Sequence, residues 1–256
     1  MKIVSFGGGV QSTALAILAA SGKIEVDAFV FCDTGFEQSI VFEFLDKYTR
    51  PMLDKAGIPF YIAKTEDYAG QLNGKTVFGN MLLPPFFNSY GNSAIGRLPA
   101  YCSSKWKADV FKRFCTKQFK DKDYNVIMGF STDEIHRAAR MKPTKKYNYL
   151  FPLLDLRINR GDCIKLVVDK FNAPPPRSSC YFCPNHTQRE WREAMSSSDR
   201  GKIIEIDNQI RTSLQDKLRG IGAAYLTAEC KPIAECDFDD KNEVIFSRLC
   251  VGGCFL

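Results

Sequence analysis

Apolar residues gather along this chain in short runs bounded by polar or glycine-rich turns, and two kinds of run alternate. Val26-Asp27-Ala28-Phe29-Val30-Phe31-Cys32, Ile58-Pro59-Phe60-Tyr61-Ile62-Ala63 and Asn125-Val126-Ile127-Met128-Gly129-Phe130 are rich in β-branched and aromatic residues, as strands covered on both faces are. The brief Ile3-Val4 run opens the series. Between these lie stretches of helical character. Residues 14–20 are strong helix formers free of glycine and proline. Ile40, Phe44, Leu45, Tyr48 and Met52 mark a helix over residues 39–56 that Pro51 should kink or divide, and another helix runs to about Phe119. Strands and helices in alternation predict an α/β fold with a parallel sheet flanked by helices.

The rest of the chain breaks this rhythm. Residues 68–99 hold Gly70, Gly74, Pro84 and Pro85 among asparagines and phenylalanines, which predicts a long irregular loop of the lid or substrate-surface kind. A short amphipathic helix is expected over residues 162–171, with Cys163 in its core. Ala173-Pro174-Pro175-Pro176 is then a stiff break, because three prolines enter neither a helix interior nor a central strand. The expected division is therefore 1–172 and 173–256, the second part mostly helical over residues 189–219, with Trp191 in the packing.

A chain of 256 residues is long enough to bury a substantial core. Met1 leads directly into the first strand and no apolar run approaches membrane-spanning length, so a cytoplasmic protein with no membrane association is expected. In that compartment ten spaced cysteines point to metal or redox chemistry rather than disulfides. The net charge is only +6, but basic residues crowd between Arg97 and Lys146. A solvated helix face explains much of this excess; nucleic-acid binding is the functional reading.

Ser5-Phe6-Gly7-Gly8-Gly9-Val10-Gln11-Ser12-Thr13 joins the first strand to the first helix. Such a turn aims backbone N–H groups and the positive helix end at one point, which suits a phosphate, and Ser12 and Thr13 can add hydroxyls. It is neither a Walker A loop nor a GxGxxG dinucleotide turn, and the same sequence also serves a strand-to-helix turn that binds nothing. Asp33-Thr34-Gly35-Phe36-Glu37 and Gly129 to Arg137 follow other strands, where ligands of open α/β sheets sit; each also reads as a helix cap or turn. Asp133 and Glu134 suit a cap or a metal contact, and Arg137 a phosphate. Cys180-Tyr181-Phe182-Cys183 and Cys250-Val251-Gly252-Gly253-Cys254 are close cysteine pairs, and Cys102 stands beside Lys105 and Lys107 near a helix start. Together they favour a metal or iron-sulfur site, with His186 a weaker ligand candidate.

Gly7 to Thr13 resembles the PP-loop of the ATP pyrophosphatases and phosphoadenylylsulfate (PAPS) reductases, with Gly7 where that family has Ser and Gln11 where it has Asp. Asp33-Thr34-Gly35 is similar to the segment that holds adenosine in those relatives, Gly129 to Arg137 to the one that closes over the nucleotide, and Phe151-Pro152-Leu153-Leu154-Asp155 to the end of their nucleotide domain. Cys102 followed by Cys180 and Cys183 resembles the cysteine pattern of cluster-bearing relatives, with Tyr101 in place of one ligand. The resemblance implies a PP-loop, adenine-nucleotide-hydrolase-like and Rossmann-like domain. It implies ATP held by Ser5, Phe6, Gly7, Gly8, Gly9, Gln11, Ser12, Asp33, Thr34, Gly35, Glu37, Gly129, Asp133 and Glu134. With Gln11 in the loop, Mg²⁺ falls to Asp33 or Glu37. Cys102, Lys105 and Arg137 would be catalytic, and an iron-sulfur cluster of the 4Fe-4S type, or zinc, would sit on Cys102, Cys180, Cys183 and one of Cys250 and Cys254.

The activity this implies is adenylation of an acceptor for sulfur insertion into nucleic acid, DNA or tRNA, as in the Dnd and Ssp DNA phosphorothioation systems. A cysteine desulfurase or other sulfur donor would be a partner, and a homo-oligomer is compatible with it. A PAPS or APS reductase with a C-terminal cysteine such as Cys254 as nucleophile, and a zinc-stabilised nucleotide- or DNA-binding module without catalysis, are the alternatives.

Overall fold

The computed structural model describes residues 1–68, 84–90, 94–120, 123–213 and 223–238. Gly70, Gly74, Cys250 and Cys254 lie outside the described residues. The strands are β1 (Lys2–Phe6), β2 (Ala28–Asp33), β3 (Phe60–Lys64), β4 (Phe87–Tyr90), β5 (Ala94–Arg97), β6 (Tyr124–Ile127), β7 (Tyr147–Leu150) and β8 (Ala224–Tyr225). The chain divides into two compact units, one of Met1–Asp67 with Lys107–Ser178, the other drawn from Tyr68–Trp106 and Ser179–Leu256.

The first unit is α/β, with a five-stranded sheet in the order β3-β2-β1-β6-β7, every pair parallel. The chain steps outward from β1 through β2 to β3, then returns to the other side of β1 with β6 and β7. The gap between β1 and β6 is thus the topological switch point, where open sheets of this Rossmann-like order leave a crevice at the carboxyl ends of their strands.

Helix α1 (Val10–Ala20) explains why its sequence is apolar all round: Val10 and every residue from Ser12 to Ala19 are buried. It packs on β1 and on α3 (Arg50–Lys55) and α7 (Arg160–Phe171), around a core that includes Val4, Phe6, Phe29, Phe31 and Leu153. Helix α4 (Asp109–Gln118) covers the other face. Phe60 and Tyr61 are adjacent on β3 and therefore point to opposite sides. The Phe60 ring meets Phe6, 5.3 Å away, while Tyr61 meets Phe114 of α4 at 5.7 Å.

Pro51 does not break the helix that precedes α3. Helix α2 (Ser39–Phe44) runs into a widened π turn at Leu45–Thr49, in which the Arg50 N–H reaches back to the Leu45 carbonyl, and Pro51 then sits in the first turn of α3. The widened turn absorbs the donor that proline lacks.

In the second unit β4 pairs antiparallel with both β5 and β8. The stretch expected to be an irregular loop thus holds a hairpin, hidden in the sequence because its strands are four residues each and mix Asn, Ser and Gly with the apolar positions. Helices α8 (Gln188–Met195) and α9 (Arg200–Ser213) follow, α8 opened by a Thr187–Glu190 capping box. Trp191 is buried, as its place on the apolar face of α8 predicts. Among the described residues no helix is long and apolar enough to cross a membrane.

Candidate functional site at the carboxyl edge of the parallel sheet

The glycine turn between β1 and α1 lies at the switch point. Gly8 takes φ +78°, and a Cβ there would stand 2.8 Å from a Val41 methyl carbon, so no other residue fits without strain. The turn is stiffened by its own hydrogen bonds. Ser12 Oγ accepts from the Gly9 N–H at 3.1 Å and donates to the Gly9 carbonyl at 3.0 Å, which also receives the Thr13 hydroxyl at 2.9 Å. Both hydroxyls therefore hold the turn in shape, and Ser178 donates a further hydrogen bond to the Gly7 carbonyl. Ser5 is half-buried in β1, and the Phe6 ring is core, packed edge-on against Phe29, Phe31 and Phe60.

Across the switch point, Gly129 follows β6. A Cβ on it would lie 3.3 Å from the Ser12 amide nitrogen, so the absence of a side chain is what lets the end of β6 approach the first turn of α1. Two short helical turns come next, Thr132–Glu134 and α5 (Ile135–Ala138). They bring a charged network against Gln11. The Gln11 amide donates to Glu134 Oε2 at 3.0 Å and accepts from the Arg160 guanidinium at 3.0 Å. Glu134 is ion-paired with Arg137, whose guanidinium lies 4.4 Å from the centre of the Phe130 ring. Asp133 Oδ2 accepts the Arg160 backbone N–H at 2.6 Å and a bond from Ser131; the N–H bond in particular holds its carboxyl below the usual aspartate range.

The carboxyl end of β2 supplies a third wall. Asp33 Oδ1 accepts the Gly35 N–H at 2.7 Å, and Thr34 accepts the Phe36 N–H while donating to Glu37 Oε1 at 3.1 Å. Glu37 has no side-chain exposure; Lys107 Nζ lies 2.9 Å from the same Oε1, and Oε2 is buried without a hydrogen-bond partner. An ammonium at that distance competes with any divalent cation on Oε1, which leaves Asp33 as the freer carboxylate. The neighbouring Cys32 thiol is fully buried and raised far above a free thiol by desolvation, so it stays protonated.

Cys102, Lys105, Cys180 and Cys183 belong to the second unit. Lys105 donates its N–H to the Tyr101 carbonyl as the chain enters a widened turn at Ser103–Ala108 that continues into α4. The Cys180–Cys183 knuckle is closed by backbone bonds from Cys183 N–H to the Cys180 carbonyl and from His186 N–H to the Cys183 carbonyl, each 3.0 Å. His186 is buried, its Nε2 2.9 Å from Ser179 Oγ and its ring edge-on to Trp191. Among the described residues no group of three or more His, Cys, Asp or Glu is placed to hold a metal ion.

Two residues at the carboxyl edge, Arg160 and Ser178, have no sequence signal of their own, and Lys107, noted beside Cys102, pairs instead with Glu37. Arg160 lies far along the chain from Gln11 and carries no motif. The detectable signal was Gln11 itself, an amide where a carboxylate was expected, since an amide offers a donor and an acceptor at once.

The first unit is thus a parallel α/β sheet with a glycine turn, buried and charged side chains, and a helix start at its switch point. No protein-family model matches the chain. It is 28% identical over 229 residues to an uncharacterized nin region protein, ORF290, of Escherichia phage lambda, an alignment covering 83% of this chain and 74% of that protein.

Proposed function

We propose that the chain is an ATP pyrophosphatase of the PP-loop kind that adenylates an acceptor, the reading that best joins the glycine turn to the groups around it. The observation that carries it is the approach of Gly129 to the first turn of α1 beside the Gln11–Glu134–Arg137–Arg160 network. A triphosphate there meets backbone N–H donors and two guanidinium groups, and its adenosine would lie along Asp33 to Gly35.

Turnover requires an acceptor oxygen to attack the α-phosphorus in line while the bond to the bridging oxygen breaks and pyrophosphate leaves with the electron pair. The residues present contribute position and charge: the loop amides fix the phosphates, and Arg137 and Arg160 offset the growing negative charge. Mg²⁺, held by Asp33, would add charge neutralisation when bound. In the second half a sulfur nucleophile from a separate donor displaces AMP, the acceptor being nucleic acid. Among the described residues the thiols do not form a metal-binding group.

The test is calorimetric titration with a non-hydrolysable ATP analogue, together with a pyrophosphate-release assay. Arg160→Ala should weaken analogue binding about tenfold or more, the scale of one charge-assisted hydrogen bond. No ATP binding by the unaltered protein overturns the reading.

A further inference from the structure

We propose that the face made by α4 and the segment leading into β7 binds the phosphate backbone of a nucleic-acid duplex. This goes beyond the ATP reading and stands whether or not ATP is cleaved.

Helix α4 is amphipathic. Lys112, Arg113, Thr116 and Lys117 fall within an arc of about 140° at ~100° per residue, while Val110, Phe111, Phe114 and Cys115 occupy the rest. The apolar arc is settled against the sheet: Val110, Phe111 and Cys115 are buried and Phe114 meets Tyr61. The basic arc is therefore the outward one.

A second basic segment, Lys142, Lys145 and Lys146, lies far along the chain, and the fold lays it beside the first. Lys146 Nζ donates to Thr116 at 3.0 Å and sits 5.4 Å from the Tyr124 ring centre; Lys112 Nζ lies 5.7 Å from that of Tyr147. The Tyr147 hydroxyl donates to the Lys112 carbonyl at 3.1 Å, and the Lys146 carbonyl accepts the Tyr124 N–H at 2.8 Å. Lys146 thus joins the basic arc of α4, and Lys142 and Lys145 are exposed in the segment that leads to it. The nearest carboxylates along the described chain are Asp109, itself engaged, and Asp123.

The chemistry of the patch selects its partner. Tyr124 and Tyr147 are 1% and 8% exposed, so their rings are not available as a platform for unpaired bases, which argues against single strands. Among the described residues none of the exposed large apolar ones, such as Ile40, Ile135 or Leu156, belongs to the patch, which argues against insertion into a lipid surface. Lysines without an aromatic or apolar reader suit duplex phosphates, contacted without regard to sequence. The patch adjoins the amino ends of β6 and β7, and the five residue steps from Tyr124 to Gly129 separate it from the Gly129 crevice by about 16 Å, within the width of a duplex.

The test uses the full chain with fluorescent duplex DNA, duplex RNA, single-stranded DNA and vesicles containing phosphatidylglycerol, each over 50–200 mM salt. The unaltered protein should prefer a duplex to single strands and to vesicles, losing roughly 10²-fold in affinity across that range if about four phosphates are contacted. The duplex RNA arm decides only which duplex is preferred. Lys117→Gln, Lys142→Gln and Lys145→Gln together, all exposed and so compatible with an unchanged melting temperature, should lower the salt slope by about 3 and weaken binding at least tenfold. Lys55→Gln with Lys170→Gln, on helices of the opposite face, should change neither. Unaltered duplex binding by the triple variant, or equal or tighter binding of single strands or vesicles, overturns the proposal.

Discussion

The two ends of the parallel sheet differ in how far their polar groups are matched. At the amino ends of the strands an open hollow of about 510 Å³ is lined by Met1, Lys2, Glu25, Asp27, Ile58 and Asn125 among others. Its charges are already matched: Lys2 Nζ lies 2.6 Å from Glu25, and the Lys2 N–H donates to Asp27 at 2.7 Å. At the carboxyl edge a buried carboxylate oxygen of Glu37 lacks a partner, a helix begins, and the glycines at positions 8 and 129 let neighbouring groups close in on the turn. Helix dipoles in such a sheet turn their positive ends to the carboxyl edge. Matched charge marks one end of the sheet and unmet polar demand the other, and the second is the better guide to chemistry.

Substitutions at the two ends should separate them sharply. Lys107→Ala strips the partner from a carboxylate with no exposure and should destabilise the protein by about 3–5 kcal/mol in denaturant unfolding; a loss under about 1 kcal/mol would mean that the pair is not a buried one. Gly8→Ala combines a left-handed backbone, worth about 1–2 kcal/mol, with overpacking against Val41, worth about 1–3 kcal/mol. Its unfolding midpoint should fall accordingly, and analogue binding should fall further than stability explains. Lys2→Ala, in the hollow at the amino ends, removes only an exposed ion pair and should cost less than about 1 kcal/mol with nucleotide affinity unchanged. A drop in affinity there would dissolve the contrast between the two ends.

The parallel sheet was legible because its central strands are apolar on both faces: Phe29, Val30 and Phe31 in β2, and Val126 and Ile127 in β6, are all buried. Edge strand β7 is not legible in the sequence, since Tyr147-Asn148-Tyr149-Leu150 is only four residues long and only Tyr147 in it is buried. The same limit applies to the site. The glycine turn and the Asp33–Glu37 turn are local and can be read from adjacent residues. Arg160 and Lys107 reach the site only through the fold, and no spacing rule joins position 11 to position 160 or 37 to 107. For the cysteines, two of the five residues expected as ligands, Cys250 and Cys254, lie outside the described residues.

The all-round burial of α1 constrains how this protein can diverge. One residue inserted between Gly9 and Val10 would rotate the helix by ~100°, driving Gln11 away from Glu134 and Arg160 and leaving no solvent-facing side to absorb the turn. The length of the linker between the first strand and its helix is therefore frozen even where its letters vary. Distant kin should keep that count of residues long after they have lost the residues themselves.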